Sequence, residues 1–168
     1  MAHLVLVGLP GTGKTTLAQA LAEQRYGAAL DTDELVAANV GVTAAQYLRD
    51  EGETPFRERE VEALRAALIR GTDVVIATGG GIVCSPEARE LLSGEITLWL
   101  DCDDDVILAR LGDAERPLLA ERPAEALARL RRERAPWYEE VARARIDTSS
   151  SIEDALAQVN HEVRGLSR

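Results

Sequence analysis

Gly8-Leu9-Pro10-Gly11-Thr12-Gly13-Lys14-Thr15 fits G-x-x-x-x-G-K-[ST], the pattern of a phosphate-cradling loop. Its surroundings suit the mechanism. His3 to Val7 is apolar and reads as a buried strand, and Thr15 to Arg25, rich in Ala, Leu and Gln, reads as the helix that follows. Glycines at such a turn let backbone N–H groups close around phosphate oxygens, and a helix N-terminus adds a favourable dipole. Gly11, Thr12 and Gly13 are read as the cradle, Thr15 as a hydroxyl ligand for Mg²⁺ and Thr16 as a partner of the α-phosphate. Lys14 is the single lysine among nineteen basic residues; the others are arginine. A compact ammonium on a flexible stem can follow a moving phosphate where a planar guanidinium cannot. The plainer alternative, a glycine-rich turn with a solvent-exposed lysine, does not explain the complete pattern in this context.

The rest of the chain alternates short apolar runs with helical stretches. Strands are expected at Ala28–Asp31, Val74–Ala77, Ile96–Leu100 and Arg143–Asp147. Helices are expected over 34–39, 44–50, 55–70, 86–92, 104–111, 124–140 with Pro136 interrupting, and 152–163. Such alternation argues for an α/β domain in which helices cover both faces of a parallel sheet. Residues 112–123, with two prolines, two arginines and three acidic residues, read as a mobile surface segment.

At 168 residues, 46% apolar and 29% charged, the chain is expected to be one globular domain. A net charge of −10 and a pI near 4.7 disfavour binding to nucleic acid. An anionic small molecule must then be captured by a local group of arginines. Cys84 and Cys102 have no metal-binding spacing and read as free thiols in a reducing cytoplasm. No segment reaches transmembrane length, so no membrane partner is expected.

A phosphate loop alone specifies only a nucleoside triphosphate. The base-reading motif N-K-x-D of GTPases is impossible with one lysine. Asp31-Thr32-Asp33 ends the second strand, where ligands gather in open parallel sheets. One carboxylate could order a Mg²⁺ shell and the other accept a proton from an attacking hydroxyl; alternatively Asp33 caps the next helix. Arg57 and Glu60 share a helix face, a spacing that by itself favours a surface ion pair. Gly79-Gly80-Gly81 offers a close backbone approach at the end of the third strand. Arg116, in the mobile segment, could close over a transferring phosphoryl group. Arg129, Arg131 and Arg132 read mostly as a solvated face, and Trp137 as core.

Together, Gly8 to Thr16, Asp31-Thr32-Asp33, Gly52-Glu53-x-x-Phe56-Arg57-x-x-Glu60, Ala77 to Gly81, Arg116-Pro117-Leu118-Leu119 and Arg134-Ala135-Pro136-Trp137-Tyr138 resemble the shikimate kinase family. Singly each is weak; in this order, spanning about Val5 to Thr148, they are specific. The resemblance implies a three-layer α/β/α fold with a five-stranded parallel sheet in the order 2-3-1-4-5. It also implies a region for shikimate at about 32–60 and a lid at about 112–123. The implied reaction moves the γ-phosphoryl of ATP to the 3-hydroxyl of shikimate. Asp33 would act as base on that hydroxyl, and Arg57 and Arg134 would grip the carboxylate. Gly79, Gly80 and Gly81 would meet the ring, with Arg116 on the phosphates and Asp31 ordering Mg²⁺. Arg110 and Ile146-Asp147-Thr148 would lie near adenine. A monomer is the default expectation.

Some positions depart from the family pattern. The stretch from Arg110 to Arg116 is about one residue short, Ala44 is small, Trp137 replaces a more usual leucine, and Pro55 stands just before Phe56-Arg57. Two other readings stay open at this point. One is a related kinase for another polyhydroxy acid such as gluconate. The other is a nucleotide-binding regulatory module, in which paired carboxylate-binding arginines would have no role.

Overall fold

Leu4–Val7 forms the central strand β1, and all four of its residues are buried. In a computed structural model describing residues 2–71, 73–112 and 122–164, β1 is flanked on both sides. β2 (Ala28–Asp31), β3 (Val74–Ala77), β4 (Ile96–Asp101) and β5 (Ala144–Asp147) complete a five-stranded sheet of order β2-β3-β1-β4-β5, every pairing parallel. The register places Leu6 beside Ala77 and Leu98, so the carboxyl ends of β1, β3 and β4 lie together.

Side chains alternate across a strand, and β1 therefore feeds two cores. Leu4 and Leu6 pack with Leu17 and Leu21 of helix α1 (Lys14–Leu21) and with Val159 of α8 (Ile152–Arg164). Val5 and Val7 pack on the opposite face with Leu64 of α4 (Glu53–Leu68), Leu92 of α5 (Pro86–Ser93), Ile107 of α6 (Asp104–Leu111) and Leu130 of α7 (Pro123–Val141). A smaller cluster, Val36, Phe56 and Ala63, joins α2 (Thr32–Val40) and α4 beside α3 (Ala44–Glu51), with Ala44 packed against it.

Three local expectations need correction. Beyond Leu21 the first helix widens: Ala22–Tyr26 winds with π geometry, closed by Gly27 N–H donating to the Ala22 carbonyl five residues back. Pro136 does not interrupt α7, which runs unbroken through it. A proline removes the hydrogen bond to the carbonyl four residues earlier. Pro136 and Arg132 are both exposed, so water can satisfy the carbonyl that the proline leaves unbonded. Arg131 is not part of a solvated face. It donates to the buried Asp101 at 2.8 Å, to Asp104 at 2.7 Å and to the Cys102 carbonyl at 2.8 Å, tying α7 to the end of β4. Cys84 and Cys102 are free thiols. Among the described residues no helix is long and apolar enough to cross a membrane.

Candidate active site

A cavity of about 500 Å³ opens at the carboxyl ends of β1, β2 and β3. Residues 10–17 line one side, with Asp31, Asp33, Thr78, Gly79 and Gly80 beside them and Arg110, Thr148 and Ile152 at the other end. The phosphate loop is built as the pattern requires. Gly13 caps α1 in a left-handed conformation, φ 90°, with no side chain occupying the helix end. The first N–H groups of α1, unpaired within any helix, are thus left for an anion. Lys14 is largely buried, and its Nζ donates to the Gly8 carbonyl at 2.8 Å and the Leu9 carbonyl at 2.9 Å. Thr12 Oγ1 donates to the same Leu9 carbonyl at 2.8 Å, which fixes the loop's curvature.

Asp31 performs the capping that the sequence reading allowed for Asp33. Its Oδ1 accepts from the Asp33 N–H at 2.9 Å, and its Oδ2 accepts from the Thr15 hydroxyl at 2.7 Å. Helix α2 starts at Thr32, so Asp33 lies in a first helical turn and not on extended backbone. Both carboxylates still border the cavity, because the helix begins at its rim. Thr32, between them, is fully buried and accepts from the Gly79 N–H at 3.0 Å. That bond sets the spacing between Asp33 and the glycine turn. A methyl group on Gly79 would lie 2.8 Å from Asp33 Oδ1 and 2.5 Å from Glu60 Oε1, so a larger residue there would displace both carboxylates.

The arginine question left open by spacing is settled by burial. Arg57 has a side chain 13% exposed and Glu60 one 1% exposed, so their ion pair is not a surface pair. Arg57 also meets Glu53 at 3.1 Å and lies against Gly81. Arg134 is 3% exposed and lies near Glu60 and Tyr138. The Nε atoms of Arg57 and Arg134 are buried without a hydrogen-bond partner among the described residues. Two buried guanidiniums beside a glycine turn form a site suited to a carboxylate, which they can bind through paired N–H donors.

Burial pushes the Glu60 carboxyl up to about 7; Arg57 and Arg134 pull it down, and the Asp33 carboxylate adds to the rise. The folded state thus holds the proton more tightly than the unfolded chain does. The associated stability is fully present below the unfolded value of 4.5 and is lost as pH rises through about 7. Glu60→Gln is expected to remove this loss. In paired urea titrations, wild type should weaken relative to the variant by on the order of 2 kcal/mol between about pH 5 and about pH 8. Parallel pH curves would contradict the assignment.

At the other end of the cavity, Arg110 donates through Nη2 to the Thr148 carbonyl, and its Nη1 lies 3.5 Å from the Thr148 hydroxyl. Arg110 and Thr148 therefore meet at this end of the cavity. Ser150, Ser151, Ile152 and Ala155 at the start of α8 also line it, and no motif pointed to them. Arg116 and most of 112–123 lie outside the described residues.

The family model for shikimate kinase matches residues 10–164. A shikimate kinase of Symbiobacterium thermophilum is 39% identical over 168 residues, covering 96% of both chains. One from Salinispora arenicola is 41% identical over 154 residues, covering 91% of this chain and 92% of the relative. Among solved structures, shikimate kinase from Acinetobacter baumannii in complex with shikimate superposes with a TM-score of 0.89 at 34% identity. It covers 100% of this chain and 96% of that one. The enzyme from Aquifex aeolicus superposes with a TM-score of 0.82 at 27% identity over 98% of each chain. The family model covers most of the chain and the superposition with the solved enzymes runs its full length, and the chain belongs to the shikimate kinase family.

Proposed function

We propose that this chain transfers the γ-phosphoryl of ATP to the 3-hydroxyl of shikimate, giving shikimate 3-phosphate and ADP on the route to chorismate and the aromatic amino acids. The observation that carries the reading is the placement of two unlike subsites on one glycine turn. The phosphate loop meets it on one side, where a methyl on Gly80 would lie 2.9 Å from Pro10. Arg57, Glu60, Arg134 and Tyr138 gather around its other contacts. Asp33 stands between the two and is the candidate base for the acceptor hydroxyl. Lys14 and the N–H groups of residues 11–16 hold the phosphates, and Arg57 and Arg134 hold the carboxylate. Arg110 and Thr148 border the space for the base, and Arg116 is the candidate lid arginine. The reading also takes the chain as one kinase domain and a cytoplasmic monomer.

Mg²⁺ fits the donors present. Thr15 and Asp31 supply a hydroxyl and a carboxylate 2.7 Å apart, both hard oxygens. Mg²⁺ on a nucleotide takes one or two protein oxygens and keeps several waters. The lack of a three-ligand acidic or histidine cluster among the described residues is therefore no misfit. When bound, the ion would neutralise phosphate charge.

Arg57→Ala is expected to raise the KM for shikimate by about 100-fold, the loss of a charge-assisted pair, with little change in the KM for ATP. A rise in the KM for ATP instead would move Arg57 out of the acid subsite. Phosphorus NMR of the product should show a phosphate monoester on the 3-oxygen of shikimate. Free phosphate alone would contradict the reading. The gluconate alternative has no observation in its favour, and a regulatory module leaves the two buried guanidiniums unexplained.

A further inference from the structure

We propose that Tyr138 is a positioning residue for the acid subsite, and that its hydroxyl orients the Gly80 peptide and the Arg134 guanidinium together. The inference rests on the reading of Arg134 and the glycine turn given above.

Tyr138 is fully buried, yet it carries a polar atom that an apolar core would not tolerate unpaired. The hydroxyl donates to the Gly80 carbonyl, 58 residues away in sequence. Arg134, also buried, lies four residues earlier on the same face of α7, which brings its guanidinium near the Tyr138 hydroxyl. Donor and acceptor roles agree, since a phenol can give one hydrogen bond and accept another. The ring is held from behind: Trp99 stacks on it with centroids 5.8 Å apart and planes at 27°. Trp99 in turn lies under the Arg145 guanidinium at 5.1 Å.

Three consecutive glycines have more backbone freedom than any other tripeptide, so a turn made of them needs outside clamps to present one geometry. Two side chains from separate elements supply them. Thr32 of α2 holds the Gly79 N–H, and Tyr138 of α7 holds the Gly80 carbonyl. Tyr138 also shares a face of α7 with Arg134, an arginine of the carboxylate subsite. It therefore couples the turn that meets the ring to the cation that meets the acid.

Tyr138→Phe removes one oxygen and keeps the ring, so the stack on Trp99 and the fold should persist. The expected result is an approximately tenfold weaker Kd for shikimate by calorimetry and a similar rise in its KM. The KM for ATP and the kcat at saturating shikimate should stay within about twofold. Combined with Arg134→Lys, the second change should cost much less than it does alone, because both act through one contact. Circular dichroism and thermal melting would establish that the variant folds, and Tyr138→Met, which also lacks the hydroxyl, gives an independent test if it does not. Unchanged shikimate affinity in Tyr138→Phe would overturn the inference while leaving the acid subsite standing. So would equal losses for shikimate and ATP, or strict additivity with Arg134→Lys. Absence of shikimate binding to wild type would overturn the acid subsite and this inference with it.

Discussion

Lys14→Ala is expected to lower kcat by roughly 10³-fold while the fold survives. The ammonium stands within the phosphate loop, 2.8 and 2.9 Å from two of its carbonyls. A unit charge about 4 Å from a developing phosphate charge contributes on the order of 4 kcal/mol at an effective dielectric of about 20, which matches about three powers of ten in rate. Much of this acts on the transferring group, so kcat should fall more than the affinity for ATP. Lys14→Arg is the sharper control, because it keeps the charge. A planar guanidinium cannot replace a compact ammonium on those two carbonyls and still follow the phosphoryl group. The arginine variant should therefore recover little of the lost rate. Steady-state turnover with saturating substrates measures this, and a kcat within about fivefold of wild type for Lys14→Ala would remove Lys14 from the mechanism.

Asp33→Asn should lower kcat by on the order of 10²-fold if the carboxylate takes the proton of the attacking hydroxyl. A loose transition state needs little activation of the nucleophile, and the loss would then be smaller. The substitution spares the start of α2. The α2 cap is provided by the Asp31 side chain and the backbone N–H of residue 33, so the Asp33 carboxylate can lose its charge without uncapping the helix. The α2 cap should therefore survive it, in contrast to Asp31→Ala, which removes both the cap and the contact to Thr15. A kcat within about threefold of wild type would show that proton removal by Asp33 contributes little to the rate.

Much of this arrangement was legible before any coordinates. The phosphate loop is a contiguous pattern whose function follows from local geometry, so Gly13, Lys14 and Thr15 could be placed from eight residues. Apolar runs at the strands predicted a parallel sheet. Its order came from the resemblance, since periodicity says nothing about which strands pair. Arg57 and Glu60 show the limit of spacing: three residues apart describes a surface pair and a buried one equally well, and only packing against Gly79 and Gly81 separates them. The cap that the reading allowed for Asp33 falls to Asp31, because a helix start is uncertain by a residue or two, and here that shift decides which carboxylate faces the backbone. Contacts that join distant segments left no local trace. Arg131 meets Asp101 across 30 positions and Tyr138 meets Gly80 across 58. Pro136 misled for a different reason: a proline penalty assumes a carbonyl with no other partner, and on an exposed helix face water supplies one.

The most direct test of the central claim is a coupled assay of ADP release with ATP and Mg²⁺, comparing shikimate, gluconate, quinate and no acceptor. Turnover that depends on shikimate, with the other acids near the background, is the predicted result. Turnover with another acid would keep Lys14 and Asp33 in place but contradict the assignment of Arg57 and Arg134 to shikimate. ADP release at the same rate with every acceptor and with none would contradict the account of the acceptor site altogether.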